Sequence, residues 1–488
     1  MNFFNKLSLG SKILLSLLLT AIVSILLTGY IGYSGGKNGL TNTVFNQLTG
    51  LRNVQGQAIV NDFQQSENFV LTLSEASMVI NAIKEFKAAF AKLQEQQITS
   101  QERQKLAEYY EKNFIPKLAK NINIQPVAQT YLPFRPAEQY LQYHYIVNNP
   151  NPDREQVKLD FAQDGSEYSN VHRIFHRKFR NIVERMGYYD LFLVDSNGQV
   201  LYSAFKEVDF VTNLKDGPYA SSNLAKAFNQ SIASRDPFYV SLIDFNAYRA
   251  SLDTPTAFIT TTVFDGNELI GVLILQLANE RLNRLMTFGG KWSEAGLGKT
   301  GETYLVGEDL LLRTNPRLFL EDKNAYFKAL EAAHFDTEQI DRIRNINSPI
   351  LAQKVDTEAV RNALKGKSGA IFYKDYRDVP VLGAYQAVKI DDFRWALIAK
   401  MDQAEALKAV YDLTQRLIVT SAILIPLFTL LSIFIARLLA RPINRLITGT
   451  KKIAAGEKEV RVKVDSEDEF GKLAETFNAM AISLDEKN

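Results

Sequence analysis

Two long stretches without a charge constrain everything else in this chain. ILLSLLLTAIVSILLTGYIGY, Ile13–Tyr33, and LIVTSAILIPLFTLLSIFIA, Leu417–Ala436, contain no Asp, Glu, Lys or Arg. Each matches the ~20 residues that a helix needs to cross the hydrocarbon core of a bilayer. The first lacks a clear small-residue cleavage site and reads as an uncleaved span rather than a signal peptide. Pro426 inside the second is compatible with a membrane helix. Lys6 and Lys12 precede the first span, and Arg437, Arg441, Arg445, Lys451 and Lys452 follow the second. Only Lys37 and Arg52 follow the first span closely. The positive-inside rule then places residues 1–12 and 437–488 in the cytoplasm and 34–416 outside. The spans are expected at 13–33 and 417–436.

The 488 residues allow about three domains. Formal net charge is +2, so no nucleic-acid footprint is visible. With no cysteine, disulfides, cysteine-based zinc sites and a thiol nucleophile are excluded.

The stretch GLGKTGETYLVG, residues 296–307, fits the dinucleotide fingerprint at Gly296, Gly298 and Gly301. A phosphate cradle needs a strand that feeds a glycine turn opening a helix. Here a helix and loop precede the glycines and a strand-like run follows, so a turn entering a strand is expected. A P-loop would need its first glycine where Ser293 stands. GYSGG at Gly32–Gly36 formally fits a nucleophile elbow but ends a membrane helix, with no strand before it. No acid–base constellation emerges, and no cofactor or catalytic residue is expected.

Between the spans, apolar residues recur every three to four positions at Leu48, Leu51, Ile59, Phe63, Val70 and Leu73, which predicts one long helix to about Leu93. From residue 188 the pattern turns to strands. YYDLFLVDSNGQVLYSAF and TAFITTTVFDGNELIGVLILQLA read as hairpins around Asp-Ser-Asn-Gly and Asp-Gly-Asn turns, with a helix near Ser222–Gln230. ETYLVGEDLLLRT and VPVLGAYQAVKIDDFRWALIAKMDQAEAL repeat that order. The fold class is therefore α+β: two mixed modules, about 94–285 and 286–405, on a long helix over 34–93. The last helix of the second module, from about Asp402, is expected to enter the second span unbroken.

The remaining 437–488 hold two short apolar seams, Ile443, Leu446, Thr450, Ile453 and Leu473, Phe477, Met480, Leu484. Val460, Val462 and Val464 alternate with charges between them. Such seams are too short to stand alone. Two chains meeting would complete a four-helix bundle, so a homodimer is expected.

Pro442, IAAG at Ile453–Gly456 and DEFGKLAETFNAM at Asp468–Met480 resemble a HAMP domain, the relay of bacterial membrane receptors. YYDLFLVDSNGQVLYSAFKEVDFVTNL, GPYASSNLAKAF, FDGNELIGVLILQL and GLGKTGETYLVGED resemble the double Cache sensor family, whose modules are PAS-like. The resemblance implies a receptor that binds a small extracytoplasmic molecule and signals to a cytoplasmic output domain or partner protein. The alternative is the sensory part of a nucleotide cyclase, histidine kinase or phosphatase whose catalytic domain would lie beyond Asn488.

Amino-acid-binding Cache members use an Arg-x-Trp-Tyr segment and a later Asp. Here Asp216 and Pro218 stand where the Arg and Trp would be, Tyr219 keeps the Tyr, and Asp244 is placed like the later Asp. Without the Arg, the bidentate clamp for a ligand carboxylate is gone, leaving an amine, a neutral solute or a differently oriented ligand. Ligand contacts are expected from Tyr189, Tyr219, Tyr239 and Asp244. Tyr188 or Tyr189 should face inward. Lys206 and Asp209 in FKEVDF could sit at a pocket mouth, but a solvated face is expected. His172 and His176 share a helix face, but Arg173, Arg177, Lys178 and Arg180 oppose a metal between them. Pro442 is expected to end the second-span helix and, with Glu469 and Gly471, to form the relay joint. Asp465, Ser466 and Asp468 are the candidate caps of the second HAMP helix.

Overall fold

A computed structural model describes residues 7–122, 124–151, 155–457 and 459–485. Lys6, one of the flanking cations, lies outside them. Two compact units emerge, Thr43–Ala406 and the pair Met1–Asn42 with Leu407–Asn488.

Helix α1 runs Leu9–Glu75 without interruption, so the first span and the long helix beyond it are one element. It stops short of the expected Leu93. Ala76 is extended (φ −66°, ψ 130°), and α2 resumes over Ser77–Ala91. The Ser74 hydroxyl donates to the Leu71 carbonyl, competing with the helix ladder just before the break.

Within the first unit, α3 (Ser100–Tyr109) continues through a π-helical turn, Tyr110–Phe114, and α4 spans Pro136–Gln142. Helix α5 (Glu167–Met186) is opened by the Ser166 side chain and closed by Gly187 in the left-handed region. Strands β1 (Tyr188–Asp195), β2 (Val200–Ser203), β3 (Val240–Tyr248), β4 (Thr254–Asp265) and β5 (Glu268–Leu277) form an antiparallel sheet ordered β2-β1-β5-β4-β3. Both expected hairpins are present. The helix near Ser222 is α6, Asn223–Ala233, capped by the Ser222 hydroxyl.

After α7 (Asn279–Met286) comes the second module. Its sheet is ordered β6-β9-β8-β7, from β6 (Glu302–Val306), β7 (Gly369–Lys374), β8 (Pro380–Ile390) and β9 (Phe393–Asp402). Helices α8 (Arg317–Glu321), α9 (Lys323–Ala332), α10 (Thr337–Ile346) and α11 (Glu358–Leu364) accompany it. The glycine stretch does enter a strand. Its amides already face an anion, since Lys299 N and Thr300 N donate to the Glu405 carboxylate at 2.8 and 2.7 Å.

Helix α1 lies directly on the second sheet. A Cβ on Gly56 would stand 2.1 Å from the Gln386 amide nitrogen. One turn earlier, buried Arg52 donates to the carbonyls of Tyr385 (2.8 Å) and Gly369 (3.2 Å). Farther along α1, Asp62 accepts from Arg281 at 2.9 Å and Phe69 stacks on Tyr188.

In the other unit, almost no residue in the apolar stretches of the two candidate spans is buried, which suits helices that face lipid. The second lies in α12, Lys408–Ala454. It does not continue the preceding helical turn unbroken, because Leu407 departs from helical geometry (φ −104°, ψ 11°). Nor does Pro442 end it, since both Pro426 and Pro442 lie inside the helix. Proline removes one donor and crowds one carbonyl, and in a long helix bonded on both sides this bends the ladder rather than terminating it.

Helix α13, Glu469–Asp485, is capped by Asp468, whose carboxylate accepts from Phe470 N and Gly471 N. Of the other candidate caps, Asp465 pairs with Arg445. Gly471 is required by space, because a Cβ there would stand 1.8 Å from the Ser466 carbonyl oxygen. Leu446, Val462, Ala474 and Phe477 pack together, with Ile453 at the edge. The Asn478 side chain donates to and accepts from the Val462 backbone at 2.8 Å each way. Leu473, Met480 and Leu484 stay exposed at 53%, 49% and 43%. Thr450 is exposed as well.

Candidate functional site

A cavity of about 440 Å³ opens in the first module. It lies between the end of α3 with its π turn, the loop after β2, the β3–β4 loop, and the junction of β5 with α7. Tyr109, Phe114, Tyr189 and Phe205 supply aromatic wall, and Glu207, Ser251, Gln276 and Asn279 supply polar wall.

The loop after β2 is not the expected solvated face: Lys206 is 1% exposed and Asp209 0%, and Lys206 lines the cavity, as the pocket-mouth alternative has it. Partners distant in sequence make that burial possible. Asp209 Oδ2 accepts from the Tyr248 hydroxyl at 2.5 Å, and Glu207 accepts from Tyr189 at 2.8 Å and from Ser251. Lys206 Nζ donates to the Ala204 carbonyl (3.2 Å) and to His176 Nδ1 (3.3 Å), and lies over the rings of Tyr145 and Tyr202. The Asp190 Oδ1 accepts three backbone amides, Leu191, Ala204 and Phe205, at 2.6–2.9 Å. Lys206, Leu252 and Asp253 hold positive φ angles of 62°, 58° and 63°, and Val211 one of 57°. Strain of this kind gathers where the fold must present particular groups.

Burial dominates the electrostatics. It pushes Glu207 up to about 8, helped by repulsion from Asp209. It raises Asp190 to about 7, again with Asp209 contributing, and Asp209 itself to about 6. It pulls Lys206 down to about 7 against the attraction of Asp190. Several buried polar atoms have no hydrogen-bond partner, among them Gln276 Oε1, Asn279 Oδ1, Asp209 Oδ1 and the Tyr219 hydroxyl. Buried polar atoms are usually satisfied, so such a group marks a place where a partner belongs.

The raised Glu207 carboxyl has a stability consequence. Between pH 4.5 and 8 the unfolded chain releases this proton while the folded protein keeps it, so the contribution is full below 4.5 and is lost as pH rises toward 8. Glutamine carries no such proton. Without ligand, Glu207→Gln should therefore gain stability relative to the unsubstituted protein between pH 5 and 8, by at most about 1.4 kcal/mol per pH unit. Denaturant unfolding of both proteins at the two pH values measures this, and an unchanged difference would show that Glu207 is ionised.

Of the sequence candidates, Tyr189 lines the cavity. Tyr188 faces inward, 6% exposed. Tyr219 is buried next to the site, between Tyr131 and Tyr248, with ring centroids at 6.4 and 6.3 Å. Tyr239 is half-buried at the start of β3, where its carbonyl accepts from the Thr261 hydroxyl. Asp244 lies elsewhere, bordering a groove of about 420 Å³ with Glu308, Arg313 and Arg342. It accepts from Arg313 Nη2 at 2.9 Å and from the Trp395 indole at 3.1 Å. Asp216 binds the Arg135 guanidinium through both oxygens, at 2.7 and 2.6 Å. His176 has both ring nitrogens engaged, one by the Val157 carbonyl and one by the Tyr202 hydroxyl, and its ring stacks on His172. Glu207, Ser251, Gln276 and Asn279 were missed. The alternation of charge in FKEVDF was the available signal, and it pointed to solvent.

The sequence matches the Cache domain over residues 79–410 and the HAMP domain over 434–486. Among curated proteins, the signal transduction histidine-protein kinase BaeS of Escherichia coli is 49% identical over 73 residues, 14% of this chain and 15% of that protein. The probable chemoreceptor y4sI of Sinorhizobium fredii is 22% identical over 296 residues, 60% of this chain and 33% of that protein. The chain thus spans a third or less of these relatives' length. Among solved structures, the sensor domain of the V. cholerae histidine kinase DctB aligns at 13% identity with a TM-score of 0.30, covering 62% of this chain and 96% of that one.

Proposed function

Because this chain belongs to the Cache domain family and carries a HAMP domain behind its second candidate span, we propose that it is a two-span receptor whose membrane-distal Cache module binds a small molecule. The spans are at about 13–33 and 417–436, both termini are cytoplasmic, and residues 34–416 face outward. The distal cavity carries this reading, because it is large enough for a small ligand and its wall holds buried polar atoms without partners. The second module, about 286–405, is a spacer. The signal passes through α12 and the HAMP helices to an output domain or partner protein. Likeness to chemoreceptors favours a non-catalytic output, and likeness to a histidine kinase supports the second reading, a membrane enzyme.

Calorimetric screening of the full chain in nanodiscs against amines, amino acids and organic acids tests the sensor reading. At least one class should bind, and Tyr189→Ala should weaken it at least tenfold. Binding that ignores Tyr189 but is lost on changing the second module would move the site.

Two chains assemble through the face of α13 that one chain leaves open. Leu473, Met480 and Leu484 recur at the spacing of a helical seam and are exposed. In membranes, Met480→Cys should crosslink between copies under mild oxidation, with no native cysteine to interfere. Monomer alone would exclude this interface. Gly471 and Glu469, at the start of α13, and Pro442, inside α12, are the proposed relay positions.

A further inference from the structure

We propose that the distal cavity takes an organic cation, a primary ammonium or guanidinium compound without an α-carboxylate, held by the Glu207 carboxylate. This rests on the sensor reading above and deepens it.

The wall offers acceptors. Glu207 accepts one donor on each oxygen, from Tyr189 and Ser251, and a carboxylate has capacity for further donors. Gln276, 3% exposed, presents a buried carbonyl oxygen with no partner, and so does Asn279. Both residues line the cavity, and a small side-chain rotation would bring either oxygen to a ligand that carries N–H groups. Tyr109, Phe114, Tyr189 and Phe205 line the same cavity, and aromatic rings attract cations. Tyr189 and Phe205 are already held parallel to within 29°, centroids 4.8 Å apart.

A carboxylate ligand has no comparable anchor. Lys206 lines the cavity too, but its ammonium is already engaged by His176 and the Ala204 carbonyl and lies over the rings of Tyr145 and Tyr202. Arg135 is occupied by Asp216 and Glu138. Lys117 is exposed at the rim, where solvent weakens its pull on an anion. A cation beside Glu207 would also offset the burial that makes ionisation of this carboxyl unfavourable.

The test uses the full chain in nanodiscs and isothermal titration with agmatine, putrescine, tyramine and 2-phenylethylamine. The hydroxyl analogues 1,4-butanediol, 4-(2-hydroxyethyl)phenol and 2-phenylethanol, and the amino acids arginine, ornithine, tyrosine and phenylalanine, are run beside them. At least one amine should bind, with its alcohol and its amino acid at least 100-fold weaker. Glu207→Gln should lower amine affinity at least tenfold, and Gln276→Leu, which keeps the carboxylate, at least threefold. The comparison of ligands on the unsubstituted protein stands even if a variant fails to fold. Equal or tighter binding of the alcohols or amino acids, no binding by any amine, or an affinity unmoved by Glu207→Gln would overturn the proposal. If organic acids or neutral solutes bind in the cavity instead, the sensor reading survives and only the cation is wrong. If no compound of any class binds, both fail.

Discussion

Replacing Lys400 by methionine should destabilise the second module by about 3–5 kcal/mol. Lys400 is fully buried on β9, its ammonium 2.9 Å from Glu302 Oε1 and 2.5 Å from Asp375 Oδ2. Glu302 is further held by the Tyr376 hydroxyl and the Arg317 amide. Burial alone would raise the Asp375 carboxyl, but Lys400 and Arg377 outweigh it and hold that carboxyl below its ordinary range. Removing the lysine leaves two buried carboxylates facing each other. Chemical denaturation would report the loss. A triple change, Lys400→Met with Glu302→Gln and Asp375→Asn, should recover much of it, because no uncompensated charge is then left in the core. A single change costing under about 1 kcal/mol would mean that water reaches this triad.

Trp395→Ala should cost a similar amount, about 3–5 kcal/mol, and should do so in both modules at once. The indole sits on β9, 1% exposed, against Phe63 of α1 (5.7 Å between centroids) and Phe245 of β3 (6.1 Å), and its N–H donates to Asp244. It joins the long helix, the first module's sheet and the second module's sheet. Hydrogen exchange should show faster opening of β3 and β9 together. Trp395→Phe keeps most of the packing and removes the donor, and should cost about 1 kcal/mol. Exchange that quickens in β9 alone would show that the modules are held together elsewhere.

What the sequence disclosed follows the range of the forces involved. The two long apolar helices, both hairpins of the first module, the helix near Ser222 and the glycine turn entering β6 depend on periodicity and turn chemistry within a few residues, and all were legible. FKEVDF was not. Its charges look solvated until Tyr189, His176, Tyr248 and Ser251 are brought to them by the fold, from positions up to 44 residues away. Asp244 reads as an open carboxylate because Arg313 and Trp395 lie 69 and 151 residues downstream. Pro442 misleads for a different reason. A local rule foretells a stop, and the helix on either side overrides it. In HAMP, the Leu473-Met480-Leu484 stripe was visible, but that Ala474 and Phe477 would face Leu446 within one chain depends on how the connector folds back.

The Arg52 latch on the second sheet restricts how a signal can travel. Buried Arg52 on α1 is bonded to two strand carbonyls, one turn before Gly56, where the Gln386 side chain lies against the helix. Sliding the helix by one turn, about 5.4 Å, would pull the guanidinium off both carbonyls and leave it buried without them. The contact therefore works as a pawl on a rack: axial displacement past this sheet is opposed. Pivoting about the latch is not, and motion of the first module along α1 would reach the second module as a tilt.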